Sequence, residues 1–439
     1  MSARVHENSQ KRSGSAPASR AHYVAAVRSR LLALTLVAAV AIAACGSDDT
    51  TSAPATDATP ETTEAAVETT EAPAETTPET TEAAPETTEA ALADLETLPA
   101  GPYDVGVTTI TINAESERPL TLDVWFPIAD AADAPLHQYT LIPGVYYESP
   151  DAITATADQI APDGPYPLVV YSHGSGALRY IASYYTEAIA SYGYIVAAPD
   201  HTGNTAADRL LGSEAEFDVT ALNRPNDVVA TINAMLDPTS TETAGFVAAV
   251  DPDSIAVTGH SFGGFTALAI AGGYENPLGS FVADGRVDAI IPLAPATGDA
   301  TRLMSDAGLE SIQVPTLVMV GTNDSITPVE PNVTRIWDLA KSESLVRVEL
   351  VDADHQSFTD VCDYQVFLPT LGDAVPAAVM ETVDAQAVEG CGAEAMPIER
   401  AKDLTNTFAV NFLESVFRGA ELISDTNTTL PDDIIFMAR

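Results

Sequence analysis

Between residues 167 and 351 one arrangement recurs: a short apolar run rich in Val and Ile, a polar or helical stretch, then another such run. The runs fall at 167–171 (PLVVY), 194–198 (YIVAA), 254–258 (SIAVT), 289–293 (AIIPL), 316–320 (TLVMV) and 346–351. Apolar runs of this length suit strands buried on both faces. Helical stretches are predicted at 180–191, 225–236, 264–271, 329–340 and 398–417. Strands that alternate with helices imply an α/β fold, a mostly parallel sheet with helices on both faces. Two earlier segments, 105–113 and 120–126, alternate apolar with polar residues as paired antiparallel strands do. In such sheets ligands bind at the carboxyl ends of the strands.

The run 254–258 is followed by Gly259-His260-Ser261-Phe262-Gly263-Gly264 and then an Ala-rich helical stretch. Gly-x-Ser-x-Gly between a buried strand and a helix describes a sharp turn that exposes a serine hydroxyl, with glycines leaving room around it. A serine hydroxyl is a poor nucleophile at neutral pH, so Ser261 needs a base, and the base needs an acid that fixes its tautomer. Downstream of Ser261 the only histidine is His355, which follows the last apolar run as Asp352-Ala353-Asp354-His355. Asp324 lies between them in the loop after 316–320, completing the chain order Ser, acid, His. Asp299, Asp288 and Asp354 are competing acids, and Asp354 adjoins His355 too closely in the chain to face its ring. His173, His201 and His260 precede Ser261 and read as locally hydrogen-bonded loop and turn residues.

Acyl transfer also needs two N–H donors waiting for an oxyanion. Phe262, directly after the nucleophile, is one expected source, and Ser175 in the loop Ser172-His173-Gly174-Ser175-Gly176 is the other. The histidines lack i, i+4 pairs, no Cys-x-x-Cys occurs, and the glycines around Gly174 make no phosphate-cradling loop. Neither a metal nor any other cofactor is expected.

The amino-terminal part has a different character. Arg4, Lys11, Arg12, Arg20, Arg28 and Arg30 precede an apolar run over 31–44, too short to span a bilayer. That run ends Ile42-Ala43-Ala44-Cys45-Gly46, similar to a bacterial lipobox. Residues 1–44 are thus expected to be a lipoprotein signal peptide, and Cys45 the lipidated residue that holds the protein on the membrane. From Gly46 to about Ala91 the chain is mostly Thr, Glu, Ala and Pro, without aromatic residues, Lys or Arg. Such a segment cannot bury a core and its charges repel, so 45–97 is expected to be a disordered tether. Acidic residues outnumber basic ones 63 to 19, for a net charge of −44, which disfavours nucleic acid as a partner.

Taken together, Ser175, Ser261, Asp324 and His355 make residues 100–418 resemble the α/β-hydrolase superfamily. More closely, they resemble secreted bacterial relatives of platelet-activating factor acetylhydrolase, dienelactone hydrolase-like esterases and polyester hydrolases (cutinases). The matching segments include Leu122-Asp123-Val124-Trp125-Phe126-Pro127, Ser172-His173-Gly174, Pro199-Asp200-His201-Thr202-Gly203-Asn204, Arg224-Pro225-Asn226-Asp227, the Ser261 turn and His355-Gln356-Ser357-Phe358. Two departures matter. Acetylhydrolases carry the acid after the strand that follows the nucleophile helix. Here that place reads Pro292-Leu293-Ala294-Pro295, so the acid moves to Asp324 as in cutinases, which counts against a phospholipid-acetyl substrate. Dienelactone hydrolases use Cys where this chain has Ser261.

With Cys45 taken by lipid, Cys362 and Cys391 remain, an even pair in an exported chain and therefore an expected disulfide. It would pin the His355 loop, with the 363–390 insertion over the pocket. The expectation is a monomeric serine carboxylic-ester hydrolase over 98–439, anchored to the outer face of a bacterial membrane and projecting into the cell wall. The competing readings are a serine peptidase or amidase of the same fold, and a non-catalytic surface-binding lipoprotein.

Overall fold

A computed structural model describes residues 92–131, 134–298 and 303–439. The leader, Cys45, nearly all of the tether and the competing acid Asp299 lie outside the described residues.

Among the described residues one sheet holds eleven strands. In chain order they are β1 (Asp104–Ile112), β2 (Leu120–Ile128), β3 (Leu136–Ile142), β4 (Val145–Thr154), β5 (Tyr166–Ser172) and β6 (Ile195–Pro199). They continue with β7 (Val250–His260), β8 (Ala289–Leu293), β9 (Thr316–Gly321), β10 (Leu345–Leu350) and β11 (Ile434–Ala438). Across the sheet the order is β11-β10-β9-β8-β7-β5-β6-β2-β1-β4-β3. From β6 through β5, β7, β8 and β9 to β10 every neighbour pair is parallel. β2 runs antiparallel to both β1 and β6, and β11 closes the other edge antiparallel to β10. The parallel centre consists of the six apolar runs, and every residue of β5, β6, β8, β9 and β10 is buried.

Alternate residues of one strand feed opposite cores, as the pleat requires. Val169 and Tyr171 of β5 join Trp125, Tyr185 and Phe412 on one face, while Leu168 and Val170 join Phe126, Ile232 and Phe265 on the other. Each large apolar side chain so buried contributes about 1.5–3 kcal/mol.

The helices that cover the sheet are α1 (Ser183–Ser191), α2 (Ala206–Leu211), α3 (Phe217–Leu236), α4 (Phe262–Gly272), α5 (Val329–Leu339), α6 (Val361–Phe367), α7 (Ala377–Ala387) and α8 (Ile398–Arg418). α3 begins two turns before Pro225, which the sequence reading took as its start. Proline forfeits one N–H bond inside a helix, a cost of about 3 kcal/mol that packing of the buried Val228, Ile232 and Met235 offsets. The β3–β4 hairpin was not anticipated; it turns through Pro143-Gly144, and Gly144, at φ +89°, supplies the left-handed backbone. β11 and α7 were likewise not foreseen.

Chain pairing begins ahead of residue 98. Ala93–Asp94 runs parallel to Thr428–Thr429, the Leu95 N–H donates to Thr429 O at 3.1 Å, and the Leu98 N–H donates to Thr407 Oγ1 at 3.2 Å. Cys362 and Cys391 form a disulfide with Cα atoms 5.3 Å apart. Within the insertion it closes, Tyr364 and Phe367 pack edge-on against Tyr147 of β4, with ring centroids 4.9 and 5.7 Å away. That places this face of the insertion against the β3–β4 hairpin.

Candidate active site

The turn between β7 and α4 sets Ser261 at φ +58°, ψ −113°. A non-glycine residue pays roughly 1–3 kcal/mol for such backbone, so the surroundings must enforce it. They do so through the Ser261 N–H, which donates to Leu293 O at 2.9 Å, and the Ser261 carbonyl, which accepts from Phe265 N–H at 3.1 Å. A Cβ on Gly259 or Gly263 would collide with the carbonyl oxygen of Ser172. The turn therefore rests directly on the end of β5, and only hydrogens fit at those two positions.

His355 opens a short 3₁₀ turn (His355–Phe358) after β10, and Asp324 follows β9. The structure brings both to Ser261. His355 Nε2 lies 2.9 Å from Ser261 Oγ, and His355 Nδ1 lies 2.8 Å from Asp324 Oδ2. A carboxylate only accepts, so Nδ1 carries the ring hydrogen and Nε2 is left to accept from the hydroxyl. His355 and Asp324 are buried, whereas Ser261 is half-buried.

Asp324 also accepts from the N–H groups of Ile326 at 2.9 Å and Thr327 at 2.7 Å, and from the Thr327 hydroxyl at 2.8 Å. Burial by itself would raise its pKa, but the His355 hydrogen bond and charge and the Thr327 donors outweigh it. They hold the carboxyl below its ordinary range. The Thr327 hydroxyl stands 3.1 Å from His355 Nδ1. Sequence reasoning passed over Thr327, although its place three residues after Asp324 is where an Asp turn collects donors.

Of the competing acids, Asp354 precedes the His355 turn with its N–H donating to the Ser357 hydroxyl at 3.0 Å, and Asp288 accepts from Ile255 N–H midway along β7. Neither meets His355. The three histidines that precede Ser261 and were weighed above, His173, His201 and His260, belong to other hydrogen-bonded sets. His260 Nε2–H donates to the His355 carbonyl at 2.8 Å, and burial together with the neighbouring His355 pushes its pKa down to about 3. His201 links the Ser172 hydroxyl at 2.8 Å to Asp227 at 2.9 Å, and His173 Nε2 accepts from His201 N–H at 3.1 Å. Burial first, then the Arg224 charge, holds His173 and His201 well below the usual imidazole range, so both stay neutral.

Gly174 packs against the elbow, for a Cβ there would lie 3.6 Å from the Ser261 Cβ. The loop His173–Gly176 thus borders Ser261, and among the described residues neither Ser175 N–H nor Phe262 N–H meets a protein acceptor. Arg224 explains how that loop is held, a part missed by the sequence reading although its motif was noted. Fully buried, it donates to the His173 carbonyl, to Asn204 Oδ1 at 2.7 Å and to the Thr266 hydroxyl at 3.3 Å. Its guanidinium also lies 4.7 Å from the centre of the Phe262 ring.

The disulfide-closed insertion returns to the same site. Glu389 O accepts from Gln356 N–H at 2.6 Å, and the Glu389 carboxylate accepts from the Ser325 hydroxyl at 2.9 Å. One residue thereby joins the loops that carry the acid and the histidine. Two surface hollows of about 530 and 850 Å³ lie elsewhere, and none of Ser261, Asp324 and His355 lines either. No group of three or more His, Cys, Asp or Glu able to hold a metal occurs among the described residues.

Sheet order, elbow and chain order together make this an α/β hydrolase in fold. Residues 140–220 match the family of platelet-activating factor acetylhydrolase, isoform II. The chain is 25% identical to platelet-activating factor acetylhydrolase of Bos taurus over a match covering 29% of this chain and 36% of that protein. It therefore spans about a third of that relative's length. A ferulic acid esterase from Streptomyces cinnamoneus has a similar structure, with a TM-score of 0.55 at 22% identity, covering 79% of this chain and all of that one.

Proposed function

We propose that this protein is a serine carboxylic-ester hydrolase acting through Ser261, His355 and Asp324. The observation that carries the reading is the unbroken series Ser261 Oγ, His355 Nε2, His355 Nδ1, Asp324 Oδ2, with gaps of 2.9 and 2.8 Å at its two hydrogen bonds. His355 takes the Ser261 proton as Oγ attacks the ester carbonyl, and Asp324 balances the imidazolium. The N–H groups of Phe262 and Ser175 receive the oxyanion. His355 then protonates the departing alcohol, leaving an acyl-Ser261 ester. Water, deprotonated by His355, cleaves that ester and restores the hydroxyl. The esterase and acetylhydrolase names of the relatives support ester over amide substrates.

The same reading puts the enzyme outside the cell as a monomer, held to the membrane by a lipidated Cys45 and lifted from it by the part of the tether that precedes residue 92. The basic leader, the apolar run and the small residues before Cys45 support this.

Hydrolysis of 4-nitrophenyl butyrate and labelling by a fluorophosphonate probe test the catalytic reading. Ser261→Ala is expected to abolish labelling and to lower kcat by a factor on the order of 10⁵ or more. A Ser261→Ala protein that hydrolyses the ester at the wild-type rate would sink the assignment, and faster turnover of the matching anilide would move it to the amidases.

A further inference from the structure

Arg224 of α3 is fully buried, yet among the described residues no carboxylate comes within ion-pair distance of its guanidinium. Asp227, the acid nearest to it in the chain, is taken up by Arg118 and, at 2.9 Å, by His201. Burial lowers the Arg224 pKa, though only to about 9, so at neutral pH the group stays charged. A cation without an ion-pair partner is costly to bury, and an apolar residue of similar volume would pack there more stably. The place of Arg224 calls for a reason other than stability.

Its contacts supply one. The guanidinium straddles the seam between the His173–Gly176 loop and the first turn of α4, which carry the two expected oxyanion donors. On the loop side it donates to the His173 carbonyl and to Asn204 Oδ1 at 2.7 Å. Asn204 carries the contact onward: its Nδ2 donates to Ser175 Oγ at 3.4 Å, and its carbonyl accepts from Gly176 N–H at 3.2 Å. On the helix side it donates to the Thr266 hydroxyl at 3.3 Å, and that hydroxyl donates to the Phe262 carbonyl at 2.9 Å. The same guanidinium lies over the Phe262 ring. Ser175 and Phe262 are thus each reached through a single intermediary, Asn204 for one and Thr266 for the other. The seam itself is tight, since a Cβ on Gly263 would meet the carbonyl oxygens of both Ser172 and His173.

Two N–H groups on separate elements can receive one oxygen only if their spacing is held before the substrate arrives. Among the described residues no backbone hydrogen bond joins 173–176 to 261–266. The planar guanidinium, with its donors at fixed angles, spans the two instead. We propose that Arg224 is a positioning residue that sets the distance between the Ser175 and Phe262 N–H groups, and that it thereby acts on the tetrahedral intermediate and not on the bound ester. This rests on the ester-hydrolase reading above and assigns the side chain that assembles its oxyanion pocket.

The test compares wild type, Arg224→Met and Arg224→Lys in hydrolysis of 4-nitrophenyl butyrate and in binding of an alkyl trifluoromethyl ketone. Ser261 Oγ adds to the ketone carbon, its proton passes to His355, and the carbonyl oxygen becomes an oxyanion, so the adduct reports the pocket without turnover. Arg224→Met is expected to lower kcat by about 10²-fold, the loss that follows removal of one oxyanion donor, with KM nearly unchanged. Ketone affinity should fall in proportion, while butyrate binding, followed by saturation-transfer NMR, should not. Arg224→Lys should recover little, because an ammonium has no fork to reach both sides. Full recovery by Lys would show that charge and not spacing matters and would overturn the proposal. So would unchanged ketone affinity in Arg224→Met, or equal losses of ketone and butyrate binding, which mark a generally disturbed site. Should neither Arg224 variant fold, Thr266→Val and Asn204→Ala each cut one half of the linkage. Each is expected to lower ketone affinity several-fold and to leave butyrate binding as it was; full ketone affinity in both would refute the linkage. Failure of the ester-hydrolase reading looks different, for wild-type protein would then bind the ketone no better than Ser261→Ala does, and the proposal would fall with it.

Discussion

Asp324 does two jobs with one carboxylate. Oδ1 gathers the N–H groups of Ile326 and Thr327 and so shapes its loop, while Oδ2 faces His355 Nδ1. Asn at this position keeps an acceptor for the loop but turns an amide toward the ring, which favours the tautomer with hydrogen on Nε2. Asp324→Asn is therefore expected to lower kcat by roughly 10³–10⁴ while KM and melting temperature change little. Steady-state kinetics beside a thermal melt would check this, and a variant that kept its kcat would remove Asp324 from the mechanism. The meeting of Ser261, Asp324 and His355 was open to sequence reading because each follows a buried strand in a fixed chain order. Arg224 and Glu389 were not, since their roles depend on neighbours distant in the chain. Arg224 reaches back 51 residues to His173, and Glu389 reaches back 64 to Ser325.

Elements show the same division. The central strands could be read because burial on both faces leaves little but Val, Ile, Leu and Ala to fill them. β3 and β4 lie at the sheet edge, mostly half-buried or exposed, and carry too little periodicity to stand out. What secures β4 is instead one polar group. The buried Glu187 on α1 accepts from the Tyr139 and Ser149 hydroxyls at 2.7 Å each, and from the N–H groups of Asp151 and Ala152 at 2.8 and 3.1 Å.

Burial dominates those four donors and pushes its pKa up to about 7. The folded state thus holds a proton that the unfolded chain, with an ordinary Glu pKa near 4.3, has released. This contribution is fully present below about pH 4 and is lost as pH rises toward 7. Asp227, raised to about 6 chiefly by burial, acts with the same sign over a lower window. Between pH 5 and 8 the wild-type melting temperature should fall, and Glu187→Gln should flatten that slope. The slope is the readout, because Gln would aim its amide at two N–H groups and lower stability at every pH. Parallel wild-type and variant slopes would show that Glu187 does not titrate in this range.

On the scale of the described molecule, residues 92–439 are held together by contacts that join the two ends of that stretch. Leu95 and Leu98 pack against the same core as Phe408 and Phe412 of α8, and Ala93 pairs with Thr428. A fragment starting at Leu92 is expected to melt a few degrees above one starting at Gly101, reflecting about 1–3 kcal/mol from two half-buried leucines and their backbone bonds. Calorimetry on the two fragments would decide it; equal melting temperatures would show that the leading strand adds nothing. The sequence reading drew the boundary at residue 98 because the composition there is still tether-like, and a two-residue strand has no periodicity to detect.

The bond between Cys362 and Cys391 closes a covalent ring with Glu389 and Gly390 at its far end, next to the histidine turn. Scission of one peptide link among residues 363–390 would open that ring without releasing either end. The chain could thus be nicked there and stay a single molecule, with the Asp324 and His355 loops still gripped, until a thiol separated the pieces.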